Sequence, residues 1–110
     1  MGPVASQATY RALARPAGRA RRGPLSVRFT PLEVDRNEVQ ISYAIAKRCG
    51  GAVVRNRIRR RTKSAIRLIS QGIPAGAYLI NTEPEVATMN FSELTDSLRS
   101  ALVSAAEGRK

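Results

Sequence analysis

Lys47-Arg48-Cys49-Gly50-Gly51-Ala52-Val53-Val54-Arg55-Asn56-Arg57-Ile58-Arg59-Arg60-Arg61-Thr62-Lys63 is the stretch on which the reading of this chain turns. From Lys47 to Arg67 there are nine cations and no acid. Such a density of like charge repels itself, and it calls for a polyanion with regularly spaced charge. The Gly50-Gly51 pair breaks whatever precedes it. A helix is predicted from near Ala52 to near Gly72. On a helical wheel Val54, Ile58, Thr62, Ala65 and Ile69 fall within about 40° of one direction, a core-facing stripe. Asn56, Arg60, Lys63 and Arg67 fall within about 40° of the opposite direction. Arg57 and Arg59 stand on the flanks, and Arg55 and Arg61 border the stripe, where their stems can lie over apolar surface. The helix thus has one greasy face and one cationic face about 15 Å long. Asn56, among the cations, is either a tolerated solvent residue or a group that donates and accepts toward a base edge or 2′-hydroxyl. Lys47 and Arg48 add charge near the helix start, where free backbone N–H groups favour phosphate.

The rest of the composition agrees. The chain has 110 residues, 43% hydrophobic, which suits one domain with a small core. Net charge is +11, the footprint of a nucleic-acid binder. The acids are segregated: all eight lie at 33–38 or at 83 and beyond. Arg outnumbers Lys sixteen to three, which suits RNA but equally reflects base composition of a genome. Histidine is absent, which removes His-based acid–base, triad and metal chemistry. Cys49 is the only cysteine, so no disulfide framework or Cys zinc cluster is available. No apolar run approaches a membrane span, and the start lacks a secretory signal core. A cytoplasmic location is the expectation.

Outward from the basic helix, the hydrophobic pattern predicts a short helix over 5–14, stopped by Pro16, with Tyr10, Leu13 and Ala14 on one side. Residues 15–24 read as a basic Gly/Pro loop that orders only on RNA. Leu25–Thr30 alternates and predicts a strand. An acidic turn covers 31–38. Val39–Ala46 alternates again, with Val39, Ile41, Tyr43 and Ile45 on one face; the small residues of the other face form a groove or receive a helix. Ala77–Asn81 predicts a third strand. Asn90, followed three residues later by Glu93, predicts a helix start, with Phe91, Leu94, Leu98, Ala101, Leu102 and Ala105 at helical spacing.

At these residues the chain resembles the protein subunit of bacterial ribonuclease P. The likeness centres on Lys47-Arg48-x-Gly50-x-Ala52-Val53-x-Arg55-Asn56-Arg57-Ile58-Arg59-Arg60, and it continues through Ala77–Thr82 and Phe91-Ser92-Glu93-Leu94 to Ser97-Leu98. It implies an α+β fold, a small α/β sandwich with a mixed sheet. A fourth strand, not placed by the pattern, is implied too. The basic helix would make a left-handed crossover between parallel strands, against the usual right-handed rule. The whole of 1–110 would be one RNA-binding domain, with 1–9 and 107–110 flexible. The resemblance further implies a division of labour. The RNA subunit hydrolyses a phosphodiester of precursor tRNA with bound Mg²⁺, and the protein binds that RNA and the 5′ leader, with no further protein partner and no membrane. Carried over by position, Lys47, Arg48, Arg55, Asn56, Arg57, Arg59 and Arg60, with Lys63 and Arg67 on the same face, would touch RNA. Tyr10, Val27 and Phe29 would line the leader cleft, though Tyr10 and Phe29 suit plain core packing equally. No residue of the chain is expected to be catalytic or to hold a metal. The competing readings are a ribosomal or assembly-type RNA-binding protein and a DNA-binding helix, the latter without zipper, zinc site or helix-turn-helix pattern.

Overall fold

The computed structural model describes residues 1–4, 6–32 and 37–107. The elements run α1 (Gln7–Ala14), β1 (Gly18–Arg22), β2 (Leu25–Thr30), β3 (Val39–Ile45), α2 (Ala52–Ile69), β4 (Gly76–Thr82) and α3 (Phe91–Ala106). Short 3₁₀ turns at Lys47–Cys49, Ser70–Gly72 and Pro84–Ala87 join them. The expected acidic turn falls largely on 33–36, and part of the expected flexible end on 108–110; both lie outside the described residues.

Four strands form one sheet in the order β1-β2-β4-β3. β2 pairs antiparallel with both β1 and β4, and β3 pairs parallel with β4. The parallel neighbours β3 and β4 are joined through α2, so the basic helix is the crossover, as the resemblance implied. The fourth strand is β1, and it corrects the expectation of a loop over 15–24. Gly18 and Ala20 are buried or half-buried while Arg19 and Arg21 are exposed, a period-2 pattern hidden by the Gly/Pro context. Pairing with β2 supplies the partner that a loop lacks. Gly23, at φ 56°, and Pro24 make the two-residue turn between Arg22 and Leu25.

The main core lies on one sheet face beneath α2 and α3. Leu25, Val27 and Phe29 of β2, Tyr78 and Ile80 of β4 and Ile41 of β3 meet Ile58, Ala65, Ile66 and Ile69 of α2 and Leu94, Leu98, Leu102 and Ala105 of α3. The other face carries α1 alone, through a small cluster of Val4, Leu13 and Ala77 with Leu32 and Leu79 beside it. Ser6 caps α1, its Oγ accepting from the Ala8 and Thr9 N–H groups at 3.1 and 3.4 Å. Asn90 caps α3 toward the Glu93 N–H at 3.2 Å, as its spacing predicts. The chain start is tied to the β3 edge: Gly2 N–H donates to Val39 O and Gly2 O accepts from Ile41 N–H. Gly76 sits at φ 138°, where a Cβ would overlap Phe29 Cε1 and lie 2.7 Å from its Cζ, so only glycine lets β4 pass the Phe29 ring.

Candidate nucleic-acid interface

The apolar stripe of α2 is where the wheel placed it. Ile58, Thr62, Ala65 and Ile69 are buried and Val54 is half-buried; Ile66 joins them. Thr62 is tolerated because its hydroxyl donates to Ile58 O at 2.8 Å. On the opposite side Asn56, Arg60, Lys63 and Arg67 all stand exposed to solvent. No acid falls between residues 39 and 82 to neutralise them.

The cations of α2 divide into two kinds. Arg55, Arg57 and Arg61 are tied to the protein's own carbonyls. Arg55 Nε donates to Gly50 O at 3.1 Å, Arg57 Nε to Ala87 O at 2.9 Å, and an Arg61 Nη to Met89 O. The Arg61 guanidinium also lies 5.8 Å from the Phe91 ring centroid. Arg57 and Arg61 therefore fasten α2 to the segment before α3. Arg60 and Arg67, in contrast, spend no hydrogen bond on the protein among the described residues. Arg59 donates to Asn56 Oδ1 at 3.0 Å, which orients the asparagine amide and leaves its NH₂ outward. Lys63 Nζ lies 5.8 Å from the Tyr43 ring centroid. Burial pushes the Tyr43 hydroxyl's pKa up, partly opposed by the charge of Arg67.

A groove of about 450 Å³ runs between α2 and the β3 edge, rimmed by Arg59, Lys63 and Arg67 over Tyr43. A second hollow of about 400 Å³ lies on α2 itself between Asn56, Arg59, Arg60 and Lys63. The helix begins at Ala52, and its N-cap, Gly51, provides no side-chain cap, so its first-turn N–H groups add to the positive end. Lys47 is exposed beside it. Arg48 is exposed too but bound: its guanidinium forks onto the Glu83 carboxylate. Glu83 is a site residue the charge pattern does not reveal, because its partner is 35 residues away.

Across the sheet, the α1 face shows which residues could line a cleft. Register aligns Arg28, Leu79 and Ser42 in one cross-strand row, and Ser26, Asn81 and Ala44 in the next. The Tyr10 hydroxyl reaches Ser42 Oγ at 2.7 Å, with Tyr10 44% exposed. Val27 and Phe29 do not belong to this cleft. They point to the other face, where Val27 is fully buried and Phe29 is 8% exposed, its ring 5.1 Å from that of Tyr78. Alternation along β2 forces the choice: the larger apolar set goes to the core covered by two helices, and Ser26 and Arg28 face α1. Of the three residues expected to line a leader cleft, Tyr10 alone lies on the α1 face; Val27 and Phe29 lie in the main core.

The sequence profile of the family Ribonuclease P matches residues 3–106. This chain belongs to the ribonuclease P protein family. Among ribonuclease P protein components, that of Chloroflexus aurantiacus is 36% identical over 69 residues, covering 61% of this chain and 51% of that protein. The chain thus spans about half the length of that relative. The component of Brucella melitensis biotype 1 is 33% identical over 102 residues, covering 84% of this chain and 72% of the other. The fold is that of the Staphylococcus aureus RNase P protein, with TM-score 0.76 at 16% identity over 98% of this chain and 97% of the other. The Thermotoga maritima RNase P protein superposes with TM-score 0.77 at 15% identity, over 91% and 94%. The four-stranded mixed sheet and three helices found here thus match the fold of these RNase P proteins.

Proposed function

We propose that this protein is the protein subunit of ribonuclease P. It binds the RNA subunit through α2, holds the 5′ leader of precursor tRNA beside α1, and promotes endonucleolytic removal of that leader in the cytoplasm. The observation that carries the reading is the exposed, acid-free face of Asn56, Arg60, Lys63 and Arg67 on a helix whose opposite face is core, in a member of this family.

The geometry supports binding more than chemistry. Arg57 and Arg61 hold α2 in place through backbone carbonyls, so the outward cations are presented on a rigid rod. Preorganised cations lose less freedom on contact. Arg60, Lys63 and Arg67 neutralise phosphates, and the Asn56 amide, oriented by Arg59, meets a base edge or 2′-hydroxyl. On the α1 face, the Tyr10 ring offers a stacking surface and Arg28 a cation for the leader. Mg²⁺ does not fit this face: its donors are guanidinium, ammonium and amide groups, and no group of three His, Cys, Asp or Glu comes together among the described residues. We assign Mg²⁺, and with it the attack of water, to the RNA subunit. Among the described residues no helix is long and apolar enough to cross a membrane.

The test is recovery of the protein from its own cells and sequencing of the RNA bound to it. Enrichment of the ribonuclease P RNA is expected. Enrichment of ribosomal RNA instead would favour the assembly-protein reading.

A further inference from the structure

The cationic surface of α2 lies at the β3 side of the sheet. The opposite edge, β1, carries a second one. Arg19, Ala20, Arg21, Arg22, Ser26 and Ser104 line an open groove of about 550 Å³ that wraps the β1 edge, with Arg19, Arg21 and Ser26 in register with the α1 face and Ala20, Arg22 and Ser104 on the α3 side. No acid lines it. Arg19 and Arg21 are exposed, and neither donates a hydrogen bond to the protein among the described residues. Arg22 is held differently: its Nε donates to Ser100 Oγ at 2.8 Å and an Nη to Arg21 O at 2.8 Å, which fixes one wall of the groove to α3. Ser26 and Ser104 bring hydroxyls that suit phosphate or ribose oxygens. Glu83 lies close by, its N–H donating to Pro24 O at the hairpin turn. Its carboxylate is hydrogen-bonded by Arg48, and Arg21 acts on it through charge alone, without a hydrogen bond.

We infer that the β1-edge groove is a second RNA-phosphate-binding site, contacting the same ribonucleoprotein as α2 from the other side of the sheet. The inference rests on the proposed RNA-binding role. It extends that role to a surface which shares no residue with α2. Three strand spacings of about 4.8 Å separate β1 from β3, about 14 Å in all. A folded RNA that grips the α2 side therefore reaches the hairpin without leaving the protein surface. Arginines on an edge strand also deter sheet-to-sheet aggregation. That role accounts for the charge, but not for a groove with one arginine pinned and two left reaching outward.

The experiment uses the full chain with Arg19→Gln/Arg21→Gln, Arg19→Lys/Arg21→Lys, and Arg99→Gln as a control for lost charge on α3. Circular dichroism, melting temperature and elution volume check that each variant folds and elutes like the wild type. Binding to the ribonuclease P RNA transcript, and of the reconstituted complex to precursor and to mature tRNA, is measured across salt. Because the Gln pair can no longer neutralise two phosphates, it should lower the slope of log affinity against log salt by about 1.4–1.8 units. The Lys pair should keep it, and R99Q should match the wild type. A drop seen with the transcript alone assigns the groove to the RNA subunit; a drop confined to precursor tRNA assigns it to the leader. A Gln pair that folds, and whose slopes match those of R99Q on every RNA, would overturn the site and leave the α2 reading standing. If the wild type itself shows no salt-dependent RNA binding, both readings fall.

Discussion

Arg48 and Glu83 form a two-pronged ion pair, with Arg48 Nη2 3.0 Å from Glu83 Oε2 and Nη1 donating to Oε1. The hydrogen bond from Arg48, then its charge, hold the Glu83 carboxyl below the usual carboxylate range, against some desolvation. The same pair raises Arg48. An internal anion thus competes with RNA for a cation at the start of α2.

Removing that competitor should strengthen binding. Glu83→Gln is expected to raise affinity for the RNA subunit and to steepen the log–log salt slope by about one unit, as Arg48 becomes free for a phosphate. Glu83 is depressed in the folded state, so the pair is intact above the ordinary carboxylate range and is lost as pH falls through the depressed value. The advantage of E83Q over wild type should therefore shrink on acidification through that value. Salt titrations at neutral and acid pH read both effects; equal slopes at neutral pH would show that Arg48 never meets phosphate.

Arg60 and Arg57 should respond differently to Ala. Arg60 is exposed and makes no hydrogen bond to the protein among the described residues, so R60A should lower the salt slope by about one unit while the melting temperature stays put. Arg57 also ties α2 to Ala87 O. R57A should weaken RNA binding and cost about 0.5–1.5 kcal/mol of stability as well. Paired RNA titrations and denaturant melts separate the two; a stability loss in R60A equal to that of R57A would remove the distinction.

Phe29 and Gly76 should couple. Phe29→Ala empties a buried site and should cost about 3–5 kcal/mol. Gly76→Ala drives a Cβ into the Phe29 ring at φ 138°. In the Phe29→Ala background the overlap is gone and the backbone strain alone remains, so the two costs should sum to less than expected from the singles. Urea denaturation of the cycle measures this. Strict additivity would mean that the glycine answers to its φ and not to the ring.

Tyr10 should affect substrate choice. Tyr10→Ala should reduce the preference of the reconstituted complex for leader-bearing over mature tRNA, by an amount in keeping with one stacked base, about 1–3 kcal/mol. Tyr10→Phe should retain most of it, since it keeps the ring and loses only the hydrogen bond to Ser42. Equal loss of both RNAs in Y10A would make Tyr10 a structural residue.

Much of this fold is legible in the sequence because it is periodic. The α2 stripe, the β2 and β3 alternations and the Asn90 cap each declare themselves within a few residues. β1 does not, since Gly18-Arg19-Ala20-Arg21-Arg22 has no large apolar residue and becomes a strand through pairing with β2. Along β2 the alternation is right but the expected destination of Val27 and Phe29 is wrong. Period 2 shows which residues share a side and not which side holds the cleft; that is settled by where α1 and α3 dock. The Arg48–Glu83 pair is invisible in the sequence because it forms across 35 residues of chain. The division of the arginines into anchors and free cations is hidden as well, since the acceptors, Gly50 O, Ala87 O and Met89 O, are backbone carbonyls.

The most direct measurement is reconstitution. The cognate RNA subunit is assayed for leader removal from precursor tRNA at Mg²⁺ concentrations too low for the RNA alone, with and without this protein. The account predicts a large gain in cleavage with the wild type and a smaller one with R60A. No gain over RNA alone, with a protein that is folded, would contradict it.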